Sequence, residues 1–137
     1  SGGVTILPIT DNNEIIMVKQ YRIAPGEFLL ELPAGKLEDK EDIKICARRE
    51  LQEETGYKAQ ELKKLFSFYT SPGYSDELLH LFLASPVVKQ GEMNLDEGEF
   101  IEIEKIKPNQ IMELIGKGDI KDSKTIIGLL YYLKEVF

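Results

Sequence analysis

DIKICARRELQEETG, residues 42–56, carries the 3.6-residue apolar period of a helix and ends on Gly56, the residue type best suited to a left-handed stop. Counting about 100° per residue, Ile43, Cys46, Ala47 and Leu51 form one stripe suited to packing on a sheet. Glu50, Glu53 and Glu54, spaced i, i+3 and i+4, fall on that same side, and Lys44, Arg48, Arg49 and Gln52 fall opposite. A solvated acidic face would show the reverse. The helix face therefore begins apolar and turns acidic near its end, where the helix dipole is also negative and an unpaired carboxylate at the edge of a core is costly. Two readings stand side by side: an ordinary charge network, and a site for divalent cations. Oxygen-only ligands favour Mg2+ or Mn2+, and one Cys and one His leave no cluster for zinc.

Outward from this helix the chain reads as strands. VTILPIT (4–10) and EIIMVKQYR (14–22) flank DNN, good hairpin chemistry because Asp and Asn tolerate turn conformations. FLLEL leads into PAG at 33–35, and strand-like runs return at 62–70, 77–85 and 99–106, separated by SPGYSDE and KQGEMNLDEG. PNQIMELIGKG predicts a helix with Pro108 in its first turn, and DSKTIIGLLYYLKEVF a second with Asp122 or Ser123 as N-cap. SGG ahead of the first strand reads as a cloning remnant outside the fold. The expected architecture is α+β, a mixed and mainly antiparallel sheet with helices packed on it, and residues 1–137 as one domain.

Composition narrows the function. With 42% hydrophobic and 30% charged residues the chain is ordinary for a globular domain, which excludes disorder. A net charge of −7 repels a phosphate backbone, so a nucleic-acid surface is not expected and any phosphate must be bound through cations. No apolar run reaches the length of a membrane span, and without a basic-then-apolar run at the start secretion is not expected. The lone Cys46 cannot form an internal disulfide, which fits a reducing, cytoplasmic setting.

The stretch GKLEDKEDIKICARRELQEETGY, Gly35 to Tyr57, resembles the Nudix box. Gly35, Glu41, Arg49, Glu50, the apolar Leu51, Glu53, Glu54 and Gly56 meet its spacing, and Tyr57 stands where an aliphatic residue is usual. KQYR, ELPAGKLE, SPGYSDE, DEGEFIEI and GDIKDSKT are similar to the ADP-ribose pyrophosphatase branch of that family, and Pro72 lies about sixteen residues beyond Gly56, as in that branch. The resemblance covers nearly the whole chain. It implies an α/β/α sandwich that hydrolyses a nucleotide sugar, ADP-ribose before a GDP- or UDP-hexose, with Mg2+ or Mn2+. It further implies metal ligation by Glu50, Glu53, Glu54 and the Ala34 carbonyl, with Arg49 orienting a glutamate. Arg22, Glu31, Pro72, Gly73 and Ser75 are the implied substrate-binding residues, and a homodimer is expected. The branch carries a β-rich segment ahead of its core, and this chain is expected to begin after it.

Individual residues keep rival readings. Arg22 either clamps a phosphate bidentately or pairs with Glu31. Glu99, after the KQGEMNLDEG loop, is the candidate general base, with Glu97 its rival. Glu41 is expected to hold the loop by hydrogen bonds, and Arg49 to pair with Glu53 at i,i+4. His80, alone in LLHLF, reads as structural, Tyr131 and Tyr132 as packing residues, and Cys46 as inert.

Overall fold

The computed structural model describes residues 2–137. In chain order the elements are β1 (Gly2–Thr10), β2 (Ile15–Arg22), β3 (Glu27–Glu31), β4 (Ala34–Lys36), α1 (Ile43–Thr55), β5 (Tyr57–Ala59), β6 (Leu62–Tyr69), β7 (Leu78–Lys89), β8 (Glu102–Ile106), α2 (Ile111–Gly116) and α3 (Ser123–Tyr131). A 3-10 turn, Pro108–Gln110, leads into α2, and a π turn, Tyr132–Val136, extends α3.

The sheet is mixed. β1 and β7 run parallel from Gly2↔Leu78 to Thr10↔Val87, and the other strand pairs are antiparallel. β1 is buried on both faces, which is why it reads as an unbroken apolar run rather than an alternation. Val4 and Ile6 point to a core built with Cys46, Ala47 and Leu51 of α1. Leu7 and Ile9 point to a second core with Ile111 of α2 and Leu129 and Tyr132 at the end of the chain. Helices thus cover both faces, the α/β/α sandwich expected from the resemblance, and at roughly 2 kcal/mol for each large apolar side chain these two cores dominate its stability.

The helix of the acidic triplet is held at both ends. The Asp42 side chain accepts from the N–H groups of Lys44 and Ile45 at 3.0 and 3.2 Å, and Gly56 sits at φ 75° with its N–H bonded to Gln52 O. A side chain at Gly56 would also run into the Gly91 carbonyl, so the helix stop and the approach of the 90–94 segment require the same glycine. Asp122 caps α3, accepting from Thr125 N–H at 3.2 Å and from its hydroxyl at 2.6 Å.

Four expectations need correction. Gly2 and Gly3 are not outside the fold: both lie in β1, and a Cβ on Gly3 would meet the Gly35 carbonyl at 2.6 Å, so only glycine lets β4 lie this close. The last strand begins at Glu102, not 99, because residues 96–99 form a turn closed by Glu99 N–H to Asp96 O. β7 runs past 85 to Lys89 and pairs there with β5. β4 and β5, three residues each, were not expected, being too short to show a period.

Candidate functional site

α1 ends beside β4, and between them opens a cleft of about 720 Å3. It is lined by Glu50, Glu53 and Glu54 of α1, by Ala34 and Gly35 of β4, by Arg22 at the end of β2, by Glu99, and by Lys124 of α3. The cleft therefore draws on both helical layers and on a loop.

The acidic side is built on one guanidinium. Arg49 donates to both oxygens of Glu41 at 2.8 and 2.9 Å, to Glu50 at 2.8 Å, to Glu53 at 3.1 Å, and to the Lys36 carbonyl at 3.2 Å. The expected i,i+4 pair with Glu53 is present, and the long stem of Arg49 carries the same guanidinium on to Glu41 and Glu50. Glu41 also accepts from Glu38 N–H at 3.0 Å, closing the loop ahead of α1. The Arg49 guanidinium holds the Glu41 carboxyl down at about 2 and is itself held charged by Glu41.

Glu50 lies flat against β4, where a Cβ on Gly35 would collide with its carboxylate, so glycine at 35 is what admits Glu50 to the cleft floor. Burial raises the Glu50 carboxyl, opposed by Arg49. Glu54, 7% exposed, accepts from Ala34 N–H at 3.2 Å. Its burial, with the charges of Glu50 and Glu99 added, pushes it up to about 8. Among the described residues no three carboxylates already stand as a ligand set, since Glu50 and Glu53 are turned to Arg49. An all-oxygen set with two carboxyls that burial makes costly to ionise still suits a hard divalent cation, which would restore their charge.

The cationic side is built on one carboxylate. Glu31, 1% exposed, accepts both arms of Arg22 at 2.7 and 2.8 Å and the Lys124 ammonium at 2.7 Å. Burial opposes ionisation of Glu31, but these two cations hold its carboxyl below the usual value, and Arg22 is raised by the same contact. Glu31 therefore stands behind Arg22 and does not line the cleft, contrary to the expected substrate contact.

The remaining candidates divide. Glu97 and Glu99 are both exposed, but only Glu99 lines the cleft, its carboxylate accepting from Asp96 N–H at 2.6 Å. Pro72, Gly73 and Ser75 are also outside it. Ser75 is used within its own loop, accepting from Glu77 N–H at 3.1 Å, and the loop presents Thr70, Ser71 and Glu77 to the cleft instead. His80 bonds Ser67 at 2.6 Å, Tyr132 is buried, Tyr131 packs edge-on against Phe66, and burial pushes the Cys46 thiol up to about 12. Lys124, within the helix start and the GDIKDSKT stretch of the resemblance but given no role there, meets Glu31 across 93 positions of sequence, a distance no local pattern bridges.

Comparison with known proteins agrees with this geometry. The family described as NUDIX domain matches residues 2–127. An ADP-ribose pyrophosphatase of Bacillus subtilis is 43% identical over 136 residues, 98% of this chain and 74% of the relative. A methanol dehydrogenase activator of Bacillus methanolicus is 42% identical over 131 residues, covering 95% and 71%. A GDP-mannose pyrophosphatase of Escherichia coli K12 is 36% identical over 142 residues, covering 98% and 73%. A crystal structure of an ADP compounds hydrolase superposes with a TM-score of 0.87 over 97% of this chain and 71% of that one, at 22% identity, which speaks for the fold.

Proposed function

The chain belongs to the Nudix family of hydrolases, and on that premise we propose that it hydrolyses the pyrophosphate bond of ADP-ribose to AMP and ribose 5-phosphate, using Mg2+ with Mn2+ as substitute. The observation that carries the reading is a cleft with two poles, Glu50, Glu53 and Glu54 on one side and Arg22 with Lys124 on the other. A diphosphate between two sugars needs such a place: cations to offset its charge, and donors to hold the oxygens that the cations leave.

In this reading Glu50, Glu53, Glu54 and the Ala34 carbonyl would hold the metal, which would neutralise the pyrophosphate and lower the pKa of an attacking water. Arg49 holds the Glu50 and Glu53 carboxylates at the cleft, and ligating a metal would require both to turn from the guanidinium. Arg22, with Nε and one Nη engaged by Glu31, keeps its other N–H donors for a phosphate oxygen. Glu99 takes the proton of the attacking water, a role for which it need only release the Asp96 N–H. Glu97, outside the cleft lining, is the weaker candidate.

The 36% identity to a GDP-mannose pyrophosphatase supports a second reading, a GDP- or UDP-hexose in the same cleft. A silent nucleotide-sensing module is disfavoured because all three α1 glutamates line the cleft. The test is kcat/KM for ADP-ribose, GDP-mannose and a UDP-hexose in parallel. ADP-ribose at least tenfold ahead supports the first reading, and a hexose ahead replaces it. The same proposal extends to a single catalytic domain acting as a homodimer in the cytoplasm, which rests on the resemblance to its branch; sedimentation equilibrium tests the dimer.

A further inference from the structure

A groove separate from the cleft runs over β5, on the outer side of α1. It consists of two adjoining hollows of about 390 and 620 Å3 that share Arg48, Lys58, Ala59 and Gln90 in their walls. Three cations, Arg48, Lys58 and Lys89, stand along it, and no aspartate or glutamate lines either hollow, in a chain whose net charge is −7. Arg22 and Arg49 are locked to carboxylates, whereas among the described residues no carboxylate pairs with Arg48, Lys58 or Lys89. Two of the three are held by uncharged groups. Arg48 donates to the Ala59 carbonyl at 3.0 Å, and the Lys89 ammonium lies 5.7 Å from the centre of the Tyr57 ring. Such partners fix position without neutralising charge, and the other guanidinium donors of Arg48 remain available. Ile45 of α1, 61% exposed, and Val88 of β7, 46% exposed, stand among the cations.

The spread of these charges decides what the groove can hold. Tyr57, Ala59 and Val87 face the α1 core, so alternation turns Lys58 and its neighbour Val88 to the other face of the sheet, away from Lys89. A compact anion such as phosphate needs donors that converge on it, and these diverge. A nucleic acid is opposed by the charge of the rest of the chain. An extended peptide can cross the strand, meeting each cation with its own carboxylate and resting an apolar side chain between them. We propose that this groove is a docking surface for an acidic segment of a partner protein, whose carboxylates pair with Arg48, Lys58 and Lys89 around an apolar side chain packed on Ile45. The inference does not depend on the diphosphate reading. Arg49 is the one residue that lines both cleft and groove, and its guanidinium is taken by Glu41, Glu50 and Glu53.

The test is the fluorescence anisotropy of a fluorescein-labelled peptide of glutamates around a central leucine. It is titrated with the parent, with the combined variant Arg48→Gln, Lys58→Gln, Lys89→Gln, and with Ile45→Gln. Exposed ion pairs are individually weak, and three together predict roughly tenfold weaker binding by the combined variant at low salt, the difference shrinking as salt is added. Ile45→Gln should weaken binding about threefold, as should replacing the peptide's leucine with glutamine. Melting followed by circular dichroism checks that each variant folds. Should the combined variant not fold, the 15N-labelled parent answers alone: the amide resonances of Ile45, Arg48, Lys58 and Lys89 shift on adding the peptide, and those of the cleft stay in place. Equal affinity of the parent and the combined variant, shifts confined to the cleft, or no binding by the parent overturns the proposal. So do inorganic phosphate displacing the peptide at equal concentration, and a single-stranded oligonucleotide binding more tightly than the peptide through the same cations. Self-association of the parent that the combined variant loses, read by sedimentation, would assign the groove to a second copy instead and overturn it as well.

Discussion

Replacing Glu54 with Gln separates the cost of the acidic site from its use. Glu54 is 7% exposed and its carboxyl is pushed up to about 8, first by burial and then by Glu50 and Glu99. A raised carboxyl binds more protons folded than unfolded, so its contribution is fully present below the unfolded value near 4.5 and is lost as pH rises toward 8. The shift is about 3.5 units at about 1.4 kcal/mol each, an upper bound near 5 kcal/mol; relaxation and water entry bring it to about 2–4 kcal/mol. Glutamine keeps the shape and can still accept from Ala34 N–H, but carries no charge. In EDTA at pH 8.5, Glu54→Gln should therefore melt above the parent by roughly 5–15 °C, with the gap closing at pH 4.5. Calorimetry at several pH values reads this directly, and the difference between the two proteins cancels Glu31 and Glu41, whose lowered carboxyls act in the opposite direction. Adding Mg2+ should raise the parent and leave the variant nearly unmoved. Parallel melting curves across pH would refute the claim that Glu54 is a buried charge awaiting a cation.

Three further outcomes follow from the contacts. Gly35→Ala drives a methyl into the Glu50 carboxylate, the far end of a flexible side chain, and should cut kcat by about 100-fold or more with little loss of stability, measured by initial rates and urea titration. Glu99→Gln should lower kcat by roughly 100- to 10,000-fold, while Glu97→Gln stays within twofold; the reverse order would exchange their roles. Glu41, held at about 2 by Arg49, contributes stability above its unfolded value near 4.5 that is lost as pH falls toward 2. Glu41→Gln should accordingly melt below the parent at pH 6 and approach it near pH 2.5.

How much of this was legible depended on how far apart in sequence the partners lie. The α1 stripe, its Gly56 stop and the triplet of glutamates are periodic or local, and the structure places them where 3.6-residue spacing does. The long strands were legible because β1 and β2 are apolar or alternating over many residues, whereas β4 and β5 are too short to carry a period. The Arg49–Glu53 pair was legible as an i,i+4 spacing, but the reach of Arg49 to Glu41 was not, and Lys124 meets Glu31 because α3 packs beside the end of β3, where Thr125 Oγ1 accepts from Leu32 N–H. The SPGYSDE loop was legible as a wall of the site, but its turn presents Thr70, Ser71 and Glu77 instead of Pro72, Gly73 and Ser75. Loop curvature decides which residues face inward, and composition does not report it.

If the acidic pole serves metal-dependent cleavage of a diphosphate, a single assay shows it. Purified protein is incubated with ADP-ribose in Mg2+ or in EDTA, and products are resolved by ion-exchange chromatography. The account predicts AMP and ribose 5-phosphate in equal amounts with Mg2+, none with EDTA, and at least a 100-fold slower rate for Glu54→Gln. AMP formed at the same rate in EDTA, or an unchanged rate for Glu54→Gln, would contradict it.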